Sequence, residues 1–147
     1  MSIIIADKKV LNEWVKLSLK LFPECSYQEI YEEYQNYLTN DLQKEIGFLY
    51  QIYQEFVAFM NISIRKEYVN GTNTSPVLFI EAIYVEEKYR KQGIGKKLIK
   101  QAEEFARSRG IKQIASDCLI DNTNSEEFHK SCGFRETERV IFFVKEV

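Results

Sequence analysis

A chain of 147 residues, 45% hydrophobic and 29% charged, is long enough to bury one core and too ordinary in composition for a disordered or fibrous protein. A net charge of −2 and a pI near 5.6 argue against a nucleic-acid surface, and no apolar run approaches the roughly 20 residues that span a bilayer. Three cysteines, Cys25, Cys118 and Cys132, are odd in number and widely spaced, so they build neither a disulfide framework nor a metal site. The start, MSIIIADKKVLNEW, lacks the basic leader and cleavage tail of a signal peptide; a single domain over 1–147, cytoplasmic and with reduced thiols, is the expectation.

Asp7 is placed to cap a first helix whose Val10, Leu11, Trp14, Leu17 and Leu21 share a face, and Pro23 ends it. SYQEIYEEYQNYLTN repeats Tyr27, Ile30, Tyr31, Tyr34, Tyr37 and Leu38 at helical spacing. That stripe reads as core packing with wet hydroxyl tips, or as an aromatic ligand surface. IGFLYQIY and FVAFMNISI then flank a polar break at Gln54-Glu55, a hairpin signal. EYVNGTNTSP is a loop, and VLFIEAIYV, the most apolar run, is expected to be the central strand. A glycine turn leads to a helix carrying Leu98, Ile99, Ala102, Phe105 and Ala106 on one face and stopped by Gly110. KQIASDC reads as a short strand, 125–131 as a short helix and RVIFFVKEV as a terminal strand. The order is that of a mixed α/β layered domain.

Charge is unevenly spread. Residues 88–100 hold six basic and no acidic side chains, while the other 14 Lys and Arg face 22 Asp and Glu, a balance of −8. One anion site on an acidic protein suits an anionic ligand there and a cationic one elsewhere. Arg90-Lys91-Gln92-Gly93-Ile94-Gly95-Lys96 joins a strand to a helix start, where unpaired N–H groups and the helix dipole favour phosphate. Glycines let the backbone approach a ligand closely. The run completes neither a Walker loop nor a dinucleotide fingerprint, whose third glycine is missing.

R-x-x-G-x-G after an apolar strand instead resembles the acetyl-CoA loop of GNAT N-acetyltransferases. NTNSEEFHKSCGF, from Asn122 to Phe134, is similar to their N-x-x-A-x-x-x-Y-x-x-x-G-F, with His129 at the tyrosine position. EYVNGTNTSPVLFIEAIYV, ASD, DNTNSEEFHKSCGF and ETERVIFFVK resemble, in order, a group of bacterial aminoglycoside 6′-N-acetyltransferases. LFPECS lies at their first substrate-contacting turn. The resemblance implies a mostly antiparallel central sheet flanked by helices, acetyl-CoA as co-substrate, an aminoglycoside acceptor, no metal and a homodimer. The substrate residues it carries over are Phe22, Cys25, Tyr68, Glu81, Asp117 and Glu138. Phe22 and Cys25 depart from the commoner tryptophan and histidine, which bears on substrate range. On the cofactor side it carries over Ile83, Tyr84, Val85, the loop Lys91, Gln92, Gly93, Ile94, Gly95 and Lys96, and Asn122.

The residues themselves fit that chemistry. Glu81, in the middle of an apolar strand, is costly to bury alone and therefore faces a cleft or an ion pair. Asp117 ends a strand, where clefts open in α/β sheets, though an acid there also serves as a cap. Either carboxylate is placed to accept the amine's proton or to orient the amine; the residues alone leave the two roles open. His129, the single histidine, belongs to a class that titrates near neutrality and suits an acid for the leaving thiolate; a packed helix residue is the plainer reading. Other acceptors compatible with these residues are another small polyamine or a protein amine.

Overall fold

The computed structural model describes residues 1–40 and 45–147. Its elements are β1 (Ser2–Ile5), α1 (Leu11–Leu21), α2 (Tyr27–Thr39), β2 (Ile46–Ile52), β3 (Glu55–Arg65), β4 (Val77–Val85), α3 (Ile94–Ser108), β5 (Ile114–Ala115) and α4 (Thr123–Ser131). One sheet runs in the order β1-β2-β3-β4-β5; the first three pairings are antiparallel and β4–β5 is parallel. The crossover through α3 is what a parallel pair requires. The expected mixed α/β sheet flanked by helices is therefore present.

Local chemistry sets the helix starts. The Asp7 carboxylate accepts the Lys9 N–H at 2.9 Å and opens a 3-10 turn that runs into α1. Ser26 caps α2 by accepting the Glu29 N–H at 3.1 Å. α1 and α2 cover one sheet face, where Leu11, Trp14, Val15, Ile30 and Tyr34 pack on Leu49, Phe59 and Ala82. α3 covers the other, with Ile94, Leu98, Ile99, Ala102 and Ala106 on Phe48, Met60, Ile62, Leu78 and Ile80. Each large side chain so buried contributes about 1.5–3 kcal/mol of transfer free energy.

Three expectations are corrected. β3, not β4, is the central strand, because it is third of five, is paired on both sides from Ala58 to Ile62 and is buried over residues 57–62. An extra strand, β1, pairs Ile3 with Tyr50 and Ile4 with Leu49; its short apolar run gave no periodicity to read. RVIFFVKEV is not a strand: it has no ladder partner among the described residues, and Ile141, Phe142, Phe143 and Val144 are 81–91% exposed. KQIASDC shrinks to the two residues of β5.

That shortness positions the site. β4 and β5 pair only at Leu78–Ile114 and Phe79–Ala115, after which they part. Residues 80–85 of β4 thus have β3 on one side and an open edge on the other.

Candidate active site

The two faces of this opening differ in kind. On the α3 side lies the glycine turn. Gly93, at φ +82°, caps α3 in a left-handed conformation that strains any side chain but finds open space around it. Gly95 is required for a different reason: a Cβ there would meet the Phe128 ring at 2.7 Å, so its absence lets α4 close on the start of α3. Lys88, Arg90, Lys91, Lys96, Lys97 and Lys100 are all exposed around this turn. Arg90 also donates from Nε to the Val85 carbonyl at 2.7 Å, tying the loop to the end of β4. Gln92 reaches back to the Lys88 carbonyl. Ile94 is buried and pins the turn to the core, while Ile83 and Val85 face the same side. Tyr84 points to the α1 side, near Phe59.

On the opposite face a cavity of about 220 Å³ is lined by Phe22, Cys25, Ile30, Glu33, Tyr34, Glu45, Asn61, Glu81 and Ala82. Three of the expected acceptor residues, Phe22, Cys25 and Glu81, come together here. Tyr68 and Asp117 are exposed outside this lining, and Asp117 makes no hydrogen bond or ion pair among the described residues. Glu138 accepts from Asn70 Nδ2 at 2.6 Å, which places it against the loop that carries Tyr68.

Glu81 meets both of the fates its position implied. Its Oε1 accepts from Ser63 Oγ (2.6 Å), Arg65 Nε (3.1 Å) and Arg65 Nη2 (2.7 Å). The Arg65 guanidinium is stacked 3.5 Å from the Phe79 ring centre. All these bonds fall on one oxygen, Oε1, and Glu81 also lines the cavity.

Glu33, Glu45 and Asn61 were not singled out from sequence, whereas Tyr34 belongs to the tyrosine stripe. The Trp14 indole N–H donates to Asn61 Oδ1 (2.9 Å), which fixes the amide and sends Nδ2 to Tyr34 Oη (3.0 Å) and Glu45 Oε1 (3.0 Å). Tyr34 then gives its own proton to Ser18 Oγ (2.6 Å), and Ser18 donates to the Trp14 carbonyl (2.9 Å). Tyr37 Oη lies 2.5 Å from Glu33 Oε1 and 3.1 Å from Glu45 Oε2, so its one proton goes to the nearer Glu33. Burial pushes the Tyr34 phenol up to about 12, and burial followed by the nearby Glu81 charge raises Glu45 above the usual carboxylate range. Glu33 was legible in principle, since it follows Ile30 by three and precedes Tyr37 by four on one helix face. Glu45 was not: only the tertiary fold carries it to Asn61.

At the open edge, α4 begins at Asn122, whose Oδ1 accepts the Ser125 N–H at 3.1 Å and whose amide nitrogen remains available. The His129 ring on α4 packs edge-on against Phe134 and is bonded at both nitrogens: Nδ1 to the Ser125 carbonyl (2.7 Å) and Nε2 to Ser116 Oγ (2.7 Å). Burial pushes the Cys132 thiol up, which disfavours a thiolate there. No group of three or more His, Cys, Asp or Glu side chains is arranged to hold a metal among the described residues.

The acetyltransferase (GNAT) family model matches residues 11–134. The chain belongs to this family. A relative from Acinetobacter genomosp. 13, aminoglycoside N(6′)-acetyltransferase type 1, is 37% identical over all of this chain and 99% of its own. The apo structure of the aminoglycoside antibiotic 6′-N-acetyltransferase AAC(6′)-Ig from Acinetobacter haemolyticus superposes with a TM-score of 0.91 at 37% identity, covering 100% of this chain and 99% of that one. AAC(6′)-Iy in complex with the bisubstrate analog CoA-S-monomethyl-acetylneamine gives 0.92 at 33% identity, covering 99% and 98%. As a GNAT chain, this one places its glycine turn and its acidic cavity on opposite faces of a single parted strand pair.

Proposed function

We propose that this protein moves the acetyl group of acetyl-CoA to the 6′-amine of an aminoglycoside, without an acyl-enzyme, and so disarms that class of antibiotic in the cytoplasm. The observation that carries the reading is the juxtaposition at the parting of β4 and β5: an exposed cationic helix start on one face, and a cavity with three carboxylates on the other. A diphosphate suits the first, and a polycationic amino sugar the second.

In this reading Lys91, Gln92, Gly93, Ile94, Gly95 and Lys96 cradle the diphosphate. Ile83, Tyr84, Val85 and Asn122 receive the pantetheine arm, and a backbone N–H near Val85 steadies the oxyanion. Acetyl-CoA supplies the activated acyl group; the chain orients, excludes water and moves protons. Glu81 Oε2 engages and orients an ammonium, with Glu45 and Glu33 as further anchors and Phe22 and Cys25 as walls. Asp117, free of partners, accepts the proton that the attacking amine loses.

We also infer a homodimer. The chain is held in place as far as Glu138 by Asn70, and a Cβ at Gly71 would overlap Thr137. Beyond Arg139 comes an apolar, solvent-exposed run with no strand pairing among the described residues. A second copy, presenting the open edge of its β5, gives that run a sheet to join and brings Glu138 to an intersubunit site.

Acetylation of kanamycin or tobramycin compared with spermidine tests the acceptor. A higher kcat/KM for the aminoglycosides is expected; a preference for spermidine would favour another small amine. Glu81→Gln should raise the acceptor KM by about tenfold, the loss of one charged contact, and leave the acetyl-CoA KM unchanged.

A further inference from the structure

Nδ1 of His129 lies 2.7 Å from the Ser125 carbonyl and 3.3 Å from the Ser125 hydroxyl, and the nearer contact favours one tautomer. A carbonyl oxygen only accepts, so Nδ1 carries the proton that it gives to Ser125 O at 2.7 Å. In the neutral ring Nε2 is then bare and accepts from the Ser116 hydroxyl at 2.7 Å. Such a ring has no proton to hand directly to a departing sulfur, and its one reactive nitrogen is already covered by Ser116. With Ser116 Oγ 2.7 Å from Nε2, a proton leaving a charged ring through Nε2 meets that hydroxyl first.

Ser116 is well placed to stand in. The strand alternates at the point where β4 and β5 part: Ile114 packs with the α3-side core, and Ala115 packs on Val69, Val77 and Phe79 of the other side. Ser116, next in line, turns back toward α4, where His129 meets it. It is the first residue beyond the last β4–β5 pair, on the face that holds the glycine turn, and Gly95 against Phe128 brings α4 onto that same turn.

We propose that Ser116 is the group that touches the leaving sulfur and that His129 acts through it as a proton relay; this rests on the acetyl-transfer reading above. When the ring is charged, Nε2–H donates to Ser116 Oγ and turns the hydroxyl hydrogen toward the cleft. As the carbon–sulfur bond breaks, sulfur keeps the electron pair and takes the Ser116 proton, while Ser116 takes the Nε2 proton. The products are a thiol, an intact serine and a neutral imidazole. The amine loses one proton on becoming an amide, so the reaction as a whole consumes none.

The test uses full-length protein, the variants Ser116→Ala, Ser116→Thr and His129→Gln, and two acyl donors: acetyl-CoA and its selenoester analogue. A selenolate leaves without needing a proton. With acetyl-CoA, Ser116→Ala and His129→Gln should lower kcat by roughly tenfold or more, with both KM values little changed, and Ser116→Thr should recover most of it. With the selenoester the same two variants should lose little. An equal loss with both donors would mark a packing role and overturn the relay. The second readout needs no substrate: His129 is the single histidine, so ¹⁵N spectra of the imidazole report it alone. An Nδ1–H tautomer in wild type, with a displaced Nε2 resonance in Ser116→Ala, is expected; an Nε2–H tautomer would overturn the proposal. Should wild type acetylate no amine, the acetyl-transfer reading fails, and the spectra decide the Ser116–His129 pairing by themselves.

Discussion

Gly95→Ala isolates the contact that joins the two jaws of the cofactor face. Gly95 lies in the first turn of α3, and the added Cβ would stand 2.7 Å from Phe128 Cε1 and 2.9 Å from Cζ, about an ångström inside ordinary contact. Phe128 is packed among core residues on α4 and next to His129, so α4 must give way. Overpacking of this kind costs about 1–3 kcal/mol, offset by at most about 1 kcal/mol of helix propensity gained over glycine. The net is a fall in Tm of up to roughly 8 °C for a domain of this size. The acetyl-CoA KM should rise alongside, because the displaced α4 carries Asn122 and the His129 pair. Phe128→Leu removes the ring edge, and in that background Gly95→Ala should become neutral or stabilising. A double-mutant cycle by calorimetry and acetyl-CoA titration measures both effects. If Gly95→Ala raises Tm in the wild-type background, or if Phe128→Leu fails to rescue it, the reasoning from this contact is wrong.

Other consequences are direct. Gly93→Val puts a β-branched side chain at φ +82° in open space, so the strain is conformational; it should cost about 1–2 kcal/mol, raise the acetyl-CoA KM sharply and resist rescue by Phe128→Leu. Glu45 is raised by burial above its unfolded value, so its contribution to stability is full below the unfolded pKa and is lost as pH rises through the folded one. Acceptor binding needs its charge, so the acceptor KM should fall over that same window, and Glu45→Gln should flatten both profiles in thermal melts and initial-rate assays. Asp117→Asn should lower aminoglycoside kcat/KM while leaving acetyl-CoA binding intact; an unchanged kcat/KM would remove Asp117 from the site. Deleting residues 140–147 should turn a dimer into a monomer on light scattering, and an unchanged mass would place the interface elsewhere.

Much of this molecule was decided locally and was readable as such. Asp7, Ser26, Gly93 and Gly110 set helix ends through their own side chains or dihedral freedom, and spacing put Trp14, Ile30 and Leu98 on buried faces. The glycine turn was legible because phosphate recognition is a property of contiguous backbone. What depended on distant segments was not. Glu45 and Asn61 meet across two strands, Arg65 reaches Glu81 from the neighbouring strand, and Ser116 finds His129 on a helix that begins after a loop. Sequence named Glu81 as a carboxylate needing company, but only the fold decided that its company is both a guanidinium and a cavity. The apolar pattern of RVIFFVKEV reads as a strand but could not supply the neighbour, because a strand is completed by hydrogen bonds to another segment and none among the described residues offers them.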